Sequence, residues 1–143
     1  MKHQTQPTHD SCVVTCCAML ASKPAKMAYE HFHEKLWDRT VNTEWILQSL
    51  GIESRRTFYE GGHVFKGHVY LAAVPSLNEP GLMHQIILDC RHEPLIVLDP
   101  AQGLPDRKYY AWEPEKGVDP LAVPLISWLN EFEVIPHDQR DDD

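Results

Sequence analysis

The first third of the chain repeats apolar residues with the period of an α-helix. Val13, Cys16, Cys17 and Leu20 fall at positions i, i+3, i+4 and i+7 of the stretch 11–22, which places them along one face of a helix that would pack on a core. This stretch ends at Lys23-Pro24. A second stretch, 26–37, and a third, 42–50, which Asn42 or Thr43 can cap and Gly51 can end, are also typical of helices. The pattern therefore predicts three helices, over residues 11–22, 26–37 and 42–50.

After Gly51 the pattern changes to short apolar runs separated by turn residues, which is typical of strands. The runs 84–90 and 95–98 predict a hairpin, and the proline-rich, charged stretch 104–120 predicts a long loop. Other strands are predicted over 52–59 and 69–74, with a short helix or strand over 125–132. Because helices come first and strands follow, we expect an α+β fold with an antiparallel sheet.

Length and charge limit the classes of function. The 143 residues suit one domain, which we place at 1–136, followed by an acidic tail at 137–143 that we expect to be disordered. With 13 Lys and Arg against 21 Asp and Glu, the formal charge is −8, which argues against nucleic acid as a partner. The chain lacks a membrane-spanning apolar stretch and a signal-peptide core, so we expect a cytoplasmic protein without a membrane partner. The oligomeric state is left open.

The 4 cysteines and 9 histidines direct attention to nucleophilic or metal chemistry. Cytosolic cysteines are normally reduced, and three of these crowd into six residues, so we expect free thiols. Metal-ligand spacing is poor, because Cys16 and Cys17 are adjacent and His31 and His33 would point about 200° apart on a helix. We therefore expect no metal and no cofactor.

Cys12 is the best candidate for a nucleophile. It lies at the first turn of the first predicted helix, where unpaired N–H groups and the helix dipole favour an anion and hence the reactive thiolate. Cys16 and Cys17 fall in the apolar stripe, so their expected role is packing.

Three further residues complete a candidate catalytic group around Cys12. His84 begins one strand of the predicted hairpin and Asp99 follows the other, so the open ends of the hairpin should bring the two side by side. An Asp in that position would orient the imidazole to take a proton from the thiol. Gln6 lies six residues before Cys12, and its amide together with the Cys12 N–H could stabilise an oxyanion.

Three segments, 6–12, 83–89 and 97–101, resemble the compact papain-like cysteine peptidases, in particular the bacteriocin-processing double-glycine type. That family has a glutamine six residues before a cysteine that opens a helix, a histidine that starts an apolar strand, and an Asp or Asn followed by Pro about fifteen residues on. The resemblance implies a papain-like fold, with N-terminal helices packed on a C-terminal antiparallel sheet. It also implies four roles: Cys12 as nucleophile, His84 as general base and acid, Asp99 as the residue that orients His84, and Gln6 as oxyanion donor.

The expected function is a cysteine peptidase or isopeptidase acting on a peptide or protein substrate. The chain departs from the family at Val13, where the family usually has glycine, so specificity for Gly-Gly peptides is not carried over. Two alternatives stay open: a catalytically silent binding protein on the same scaffold, and acyl transfer by the same triad, as in a transglutaminase. Trp112 in the predicted loop could line a substrate groove, whereas Gly61-Gly62 is interpreted as a turn.

Overall fold

The computed structural model describes residues 1–138. Its helical part confirms the three predicted helical stretches, and the second of these contains a π-helical turn. Within the described residues, no helix has the length and apolar character needed to cross a membrane. The helices are α1 (Cys12–Ala21), α2 (Ala25–Ala28), the π-helical turn (Tyr29–His33), α3 (Glu34–Trp37) and α4 (Thr43–Ser49).

Helix α1 is the centre of the molecule. Every residue from Val14 to Ala21 is buried, and a helix that is apolar on all sides must be covered on all sides. It is covered by α2, α4 and the sheet, which together form one continuous apolar core. Val13 is only half-buried, because the first turn of α1 opens onto a surface cavity.

Seven strands form two sheets. Five of them make a sheet in the order β1-β7-β2-β3-β4, in which all neighbouring strands are antiparallel. The α+β class with an antiparallel sheet is therefore confirmed. The strands are β1 (Glu53–Arg56), β2 (Val69–Pro75), β3 (Met83–Asp89), β4 (Ile96–Leu98), β5 (Tyr109–Ala111), β6 (Ala122–Pro124) and β7 (Leu129–Ile135), and a short 3-10 turn covers Phe58–Glu60.

Two predictions for the C-terminal third need correction. The stretch 104–120 is not wholly a loop, because β5 lies within it and pairs in parallel with β6. The ambiguous stretch 125–132 is resolved as a strand that starts at Leu129 and lies between β1 and β2. The pairing of β5 with β6, and that of β7 with β1 and β2, depend on tertiary structure. Short-range sequence patterns do not reveal such pairings.

The large sheet is buried on both faces. Val69 and Leu71 of β2 pack in the α1 core, whereas Tyr70 and Val74 pack in a second core with Ile86. The second core is closed by residues of the C-terminal third, among them Leu125. Burial on both faces explains why most of β2 and residues 86–88 of β3 are apolar without polar alternation.

The first two residues of the predicted tail are held against the body of the protein. The backbone N–H of His137 donates to the carbonyl of Leu20 at 2.8 Å. Asp138 accepts two hydrogen bonds from Arg91, both at 3.1 Å. The rest of the predicted acidic tail, residues 139–143, lies outside the described residues, so its disorder stays a prediction.

Candidate active site

The β3–β4 hairpin brings His84 and Asp99 together. Ile87 pairs with Leu98, so Asp99 continues the strand to a position opposite Ile86, two residues along from His84. The Nε2 atom of His84 lies 2.6 Å from Oδ1 of Asp99. The expected juxtaposition of these two side chains is present.

Asp99 is held rigidly by backbone donors. Its side chain is 1% exposed, and Oδ1 also accepts the N–H of Ala101 at 2.8 Å. Oδ2 accepts the N–H of Tyr110 at 2.7 Å. Both carboxylate oxygens are therefore engaged, and Tyr110 lies in the strand that the sequence did not predict. The sequence did not predict this hydrogen bond, because every residue except proline has a backbone N–H and the residue type therefore gives no signal.

Cys12 is the first residue of α1 and stays partly exposed to solvent. Because Nε2 of His84 binds Asp99, Nδ1 is the ring nitrogen that remains for the thiol. Burial alone would lower the pKa of His84, but hydrogen bonding with Asp99 and Cys12, and the negative charges of both, raise it to about 10. The ring is therefore an imidazolium at neutral pH.

The other three cysteines lack these features. Burial raises the pKa of Cys16 well above its usual value and that of Cys17 to about 12. Burial also raises the pKa of Cys90 to about 11. All four cysteines are free thiols. Cys12 shares a cavity with His84, whereas Cys90 lines a different cavity with His92 but is itself buried.

Gln6 is fixed beside Cys12 by the N-terminal segment. Its backbone N–H donates to the carbonyl of Pro100 at 2.8 Å, which ties it to the corner after Asp99. Its side chain is buried, and Nε2 donates to the carbonyl of Thr8 at 2.8 Å. Oε1 has no partner among the described residues. An amide nitrogen carries two hydrogens, so one donor remains for a ligand in the cavity that Gln6 lines.

The loop before Cys12 is braced from two sides. The hydroxyl of Ser11 donates to the carbonyl of Thr8 and accepts from its N–H, both at 3.0 Å. The indole N–H of Trp37 donates to the carbonyl of Asp10 at 3.3 Å, and Nε2 of His33 lies 3.3 Å from a carboxylate oxygen of Asp10. The π-helical turn and α3 therefore fix the segment that leads to Cys12.

Cys12, His84 and Gln6 open onto one cavity of about 420 Å³. Leu36 and Trp37 form part of one wall. The turn between β2 and β3 forms part of another, with Leu82, Met83 and Glu79. The room suits a short peptide segment rather than a folded domain.

Trp112, which the sequence analysis placed as a possible groove residue, does not line the cavity that contains Cys12. Trp112 packs edge-on against Trp128, with ring centroids 6.2 Å apart, in the second core. Trp37 is the tryptophan that lines the cavity. The sequence placed Trp37 in a helix without showing that this helix ends at the cavity.

Within residues 1–138, no group of three or more His, Cys, Asp or Glu side chains is arranged to bind a metal ion. Comparison with known proteins found no matching family model, no matching curated protein and no matching solved structure.

Proposed function

We propose that this protein is a cysteine hydrolase with a papain-like fold that cleaves a peptide-type amide bond. One observation carries the proposal: a partly exposed cysteine at a helix start faces a cavity beside His84, and a buried carboxylate orients that histidine at 2.6 Å. The order of the sequence motifs and the arrangement of helices on an antiparallel sheet support the same family resemblance.

The nucleophile is the Cys12 thiolate. Because the pKa of His84 is raised to about 10, the imidazolium persists at neutral pH and favours a thiolate next to it. The helix start adds the positive end of a dipole. The thiolate attacks the carbonyl carbon of the substrate, the C–S bond forms, and the carbonyl π electrons move onto oxygen.

The resulting oxyanion is held by two donors. One is the backbone N–H of Cys12, which belongs to the first turn of α1 and has no partner within the helix. The other is the second N–H of the Gln6 amide, which lines the same cavity. Each such donor typically lowers the barrier by about 3 kcal/mol.

His84 then moves the protons. Nδ1–H protonates the departing amine as the C–N bond breaks, which leaves a thioester on Cys12. The neutral ring next takes a proton from water, the water oxygen attacks the thioester, and the C–S bond breaks to release the acid. Asp99 keeps the ring oriented through both steps.

The test is cleavage of a proteome-derived peptide library, with products identified by mass spectrometry. The wild type should cleave a subset of peptides, Cys12→Ala should cleave none of them, and Cys90→Ala should behave as the wild type because Cys90 is buried in the second core. The ratio of amide product to free acid formed in the presence of a lysine-like primary amine separates acyl transfer from hydrolysis, since a transferase favours the amine over water. If the wild type cleaves no peptide faster than Cys12→Ala, the proposal is wrong.

A further inference from the structure

Arg39 occupies an unusual backbone position directly after α3. Its φ angle is 63°, in the left-handed region where glycine is favoured and other residues are strained. The turn is closed by hydrogen bonds from the N–H of Arg39 to Leu36 at 3.2 Å and from that of Thr40 to Lys35 at 2.9 Å. Glycine would fit this helix end with less strain, so an arginine here needs another explanation.

Arg39 is exposed and is one of the residues that line the cavity containing Cys12 and His84. Within residues 1–138, its guanidinium takes part in none of the ion pairs or side-chain hydrogen bonds. Strained backbone is found at functional sites more often than elsewhere. The indication of a ligand is a guanidinium without a partner among the described residues in the cavity that contains Cys12 and His84. The left-handed backbone alone is not one, since Ser22, Asp106 and Glu113 share it and do not line the cavity.

The other charges of the cavity are already engaged. Arg107 contacts Glu79 at 3.2 Å and the ring of His9 at 2.7 Å. Asp10 lies 3.3 Å from the ring of His33 and accepts the hydroxyl of Thr8 at 2.7 Å. Arg39 is therefore the cation of this cavity that is left for a substrate.

The walls around Arg39 are apolar and exposed. Trp37 is 59% exposed, Leu82 55% and Met83 62%, and all three line the cavity. A substrate that covers them removes apolar surface from water. The cavity thus offers an apolar rim and one unpaired guanidinium.

We propose that Arg39 determines specificity, by selecting substrates that carry a carboxylate and a neighbouring apolar side chain close to the scissile bond. A guanidinium binds a carboxylate through two parallel N–H donors, a geometry that an amide does not match. The carboxylate comes either from an Asp or Glu side chain or from a free C-terminus. This inference rests on the proposed hydrolase function.

The test uses the peptides that the wild type cleaves. Each Asp or Glu near the cleaved bond is replaced by Asn or Gln, and each free C-terminus is compared with its amide, so the two sources of carboxylate are separated. One of the two replacements should lower kcat/KM by about tenfold. The apolar neighbour is tested by replacement with Ser.

Arg39→Gly is the sharpest variant, because it removes the charge and relieves the backbone at once. It should unfold at the same or a higher temperature than the wild type, yet its kcat/KM ratio of acid to amide peptides should fall close to one. Arg39→Lys should keep only part of the ratio, because an ammonium supplies the charge without the two parallel donors. Glu113→Gly is the matched control, since Glu113 also has a left-handed φ, of 46°, but does not line the cavity.

Cleavage without a carboxylate preference, or a preference that survives in Arg39→Gly, overturns this inference and leaves the hydrolase proposal standing. Cleavage of no peptide at all overturns both.

Discussion

His84 donates its Nε2–H to Oδ1 of Asp99 at 2.6 Å, across the two strands of one hairpin. The carboxylate is buried and cannot turn away, because Ala101 and Tyr110 also donate to it. This one bond fixes the ring nitrogen that faces Cys12. This hydrogen bond and the negative charge of Asp99 also raise the pKa of His84, which keeps the ring protonated.

Asp99→Asn should therefore lower the pKa of His84 from about 10 toward its usual 6.5. Peptide cleavage should fall by about 100-fold to 10,000-fold, because the ring loses its orientation and charge. NMR titration of the His84 ring and kcat/KM measure the two effects. The variant should also be less stable by about 1–3 kcal/mol, since the amide pairs poorly with the donors around it. An unchanged His84 titration would contradict this account of the site.

Gln6→Ala should lower kcat by about 100-fold to 1,000-fold with little change in KM, because an oxyanion donor acts mainly in the transition state. The rate of Cys12 alkylation by iodoacetamide should be unchanged, since that displacement forms no oxyanion at a carbonyl. If the alkylation rate falls together with kcat, Gln6 acts by holding the loop rather than the oxyanion. Gln6→Glu, which has no side-chain N–H, should match the alanine variant.

Stability should depend on pH through His84. The folded protein binds this proton more tightly than the unfolded chain, whose pKa is near 6.5. The stabilisation is therefore complete below about pH 6.5 and is lost as the pH rises through the folded value of about 10. The measurement is urea unfolding in the Cys12→Ala background, because a thiolate in the folded wild type has lost a proton that the unfolded thiol keeps, which offsets the proton on His84. Cys12→Ala should lose stability between about pH 6.5 and about pH 8.5. Adding His84→Gln should flatten that profile, and equal slopes would contradict the prediction.

Outside the candidate active site, Arg91 pairs with the buried carboxylate of Asp89. It donates to both oxygens of Asp89 at 2.8 Å. Burial raises the pKa of Asp89, but hydrogen bonds and charge from Arg91 outweigh it and lower that pKa below its usual value. Arg91→Ala should destabilise the protein by about 3 kcal/mol at neutral pH, measured by urea unfolding. The loss should shrink in acid, because the wild-type contribution is present above the unfolded pKa of 3.8 and is lost as the pH falls through the folded value.

Arg56→Ala is the control for Arg91, because Arg56 pairs with Glu44 at the surface and solvent screens such pairs. Its stability should be close to that of the wild type. If the two variants lose stability equally, burial does not explain the contribution of the Arg91–Asp89 pair to stability.

The sequence predicted the parts of the site that depend on local order. A helix start at Cys12 and a hairpin between His84 and Asp99 follow from apolar periods and turn residues over short distances. The hairpin alone places His84 beside Asp99. The packing of α1 against β3, which is a tertiary contact, brings Cys12 to them.

Most of the features that the sequence did not predict depend on contacts between distant parts of the fold. Strand β7 inserts between β1 and β2, and β5 reaches Asp99 through a backbone N–H of Tyr110. The position of Trp37 in the cavity also depends on tertiary packing, which decides which tryptophan faces the cavity. The left-handed backbone of Arg39 could not be predicted from the sequence, because nothing in the residue type indicates it.

The most direct test of the account is the alkylation rate of each cysteine as a function of pH, followed by mass spectrometry. We predict that Cys12 reacts at least about tenfold faster than Cys16, Cys17 and Cys90, since those three are buried. We also predict that the alkylation rate of Cys12 stays high in mildly acidic solution in the wild type. In His84→Gln this rate should fall as the solution becomes acidic. A Cys12 that reacts no faster than a free thiol, with a pH profile that His84→Gln leaves unchanged, would contradict the central claim.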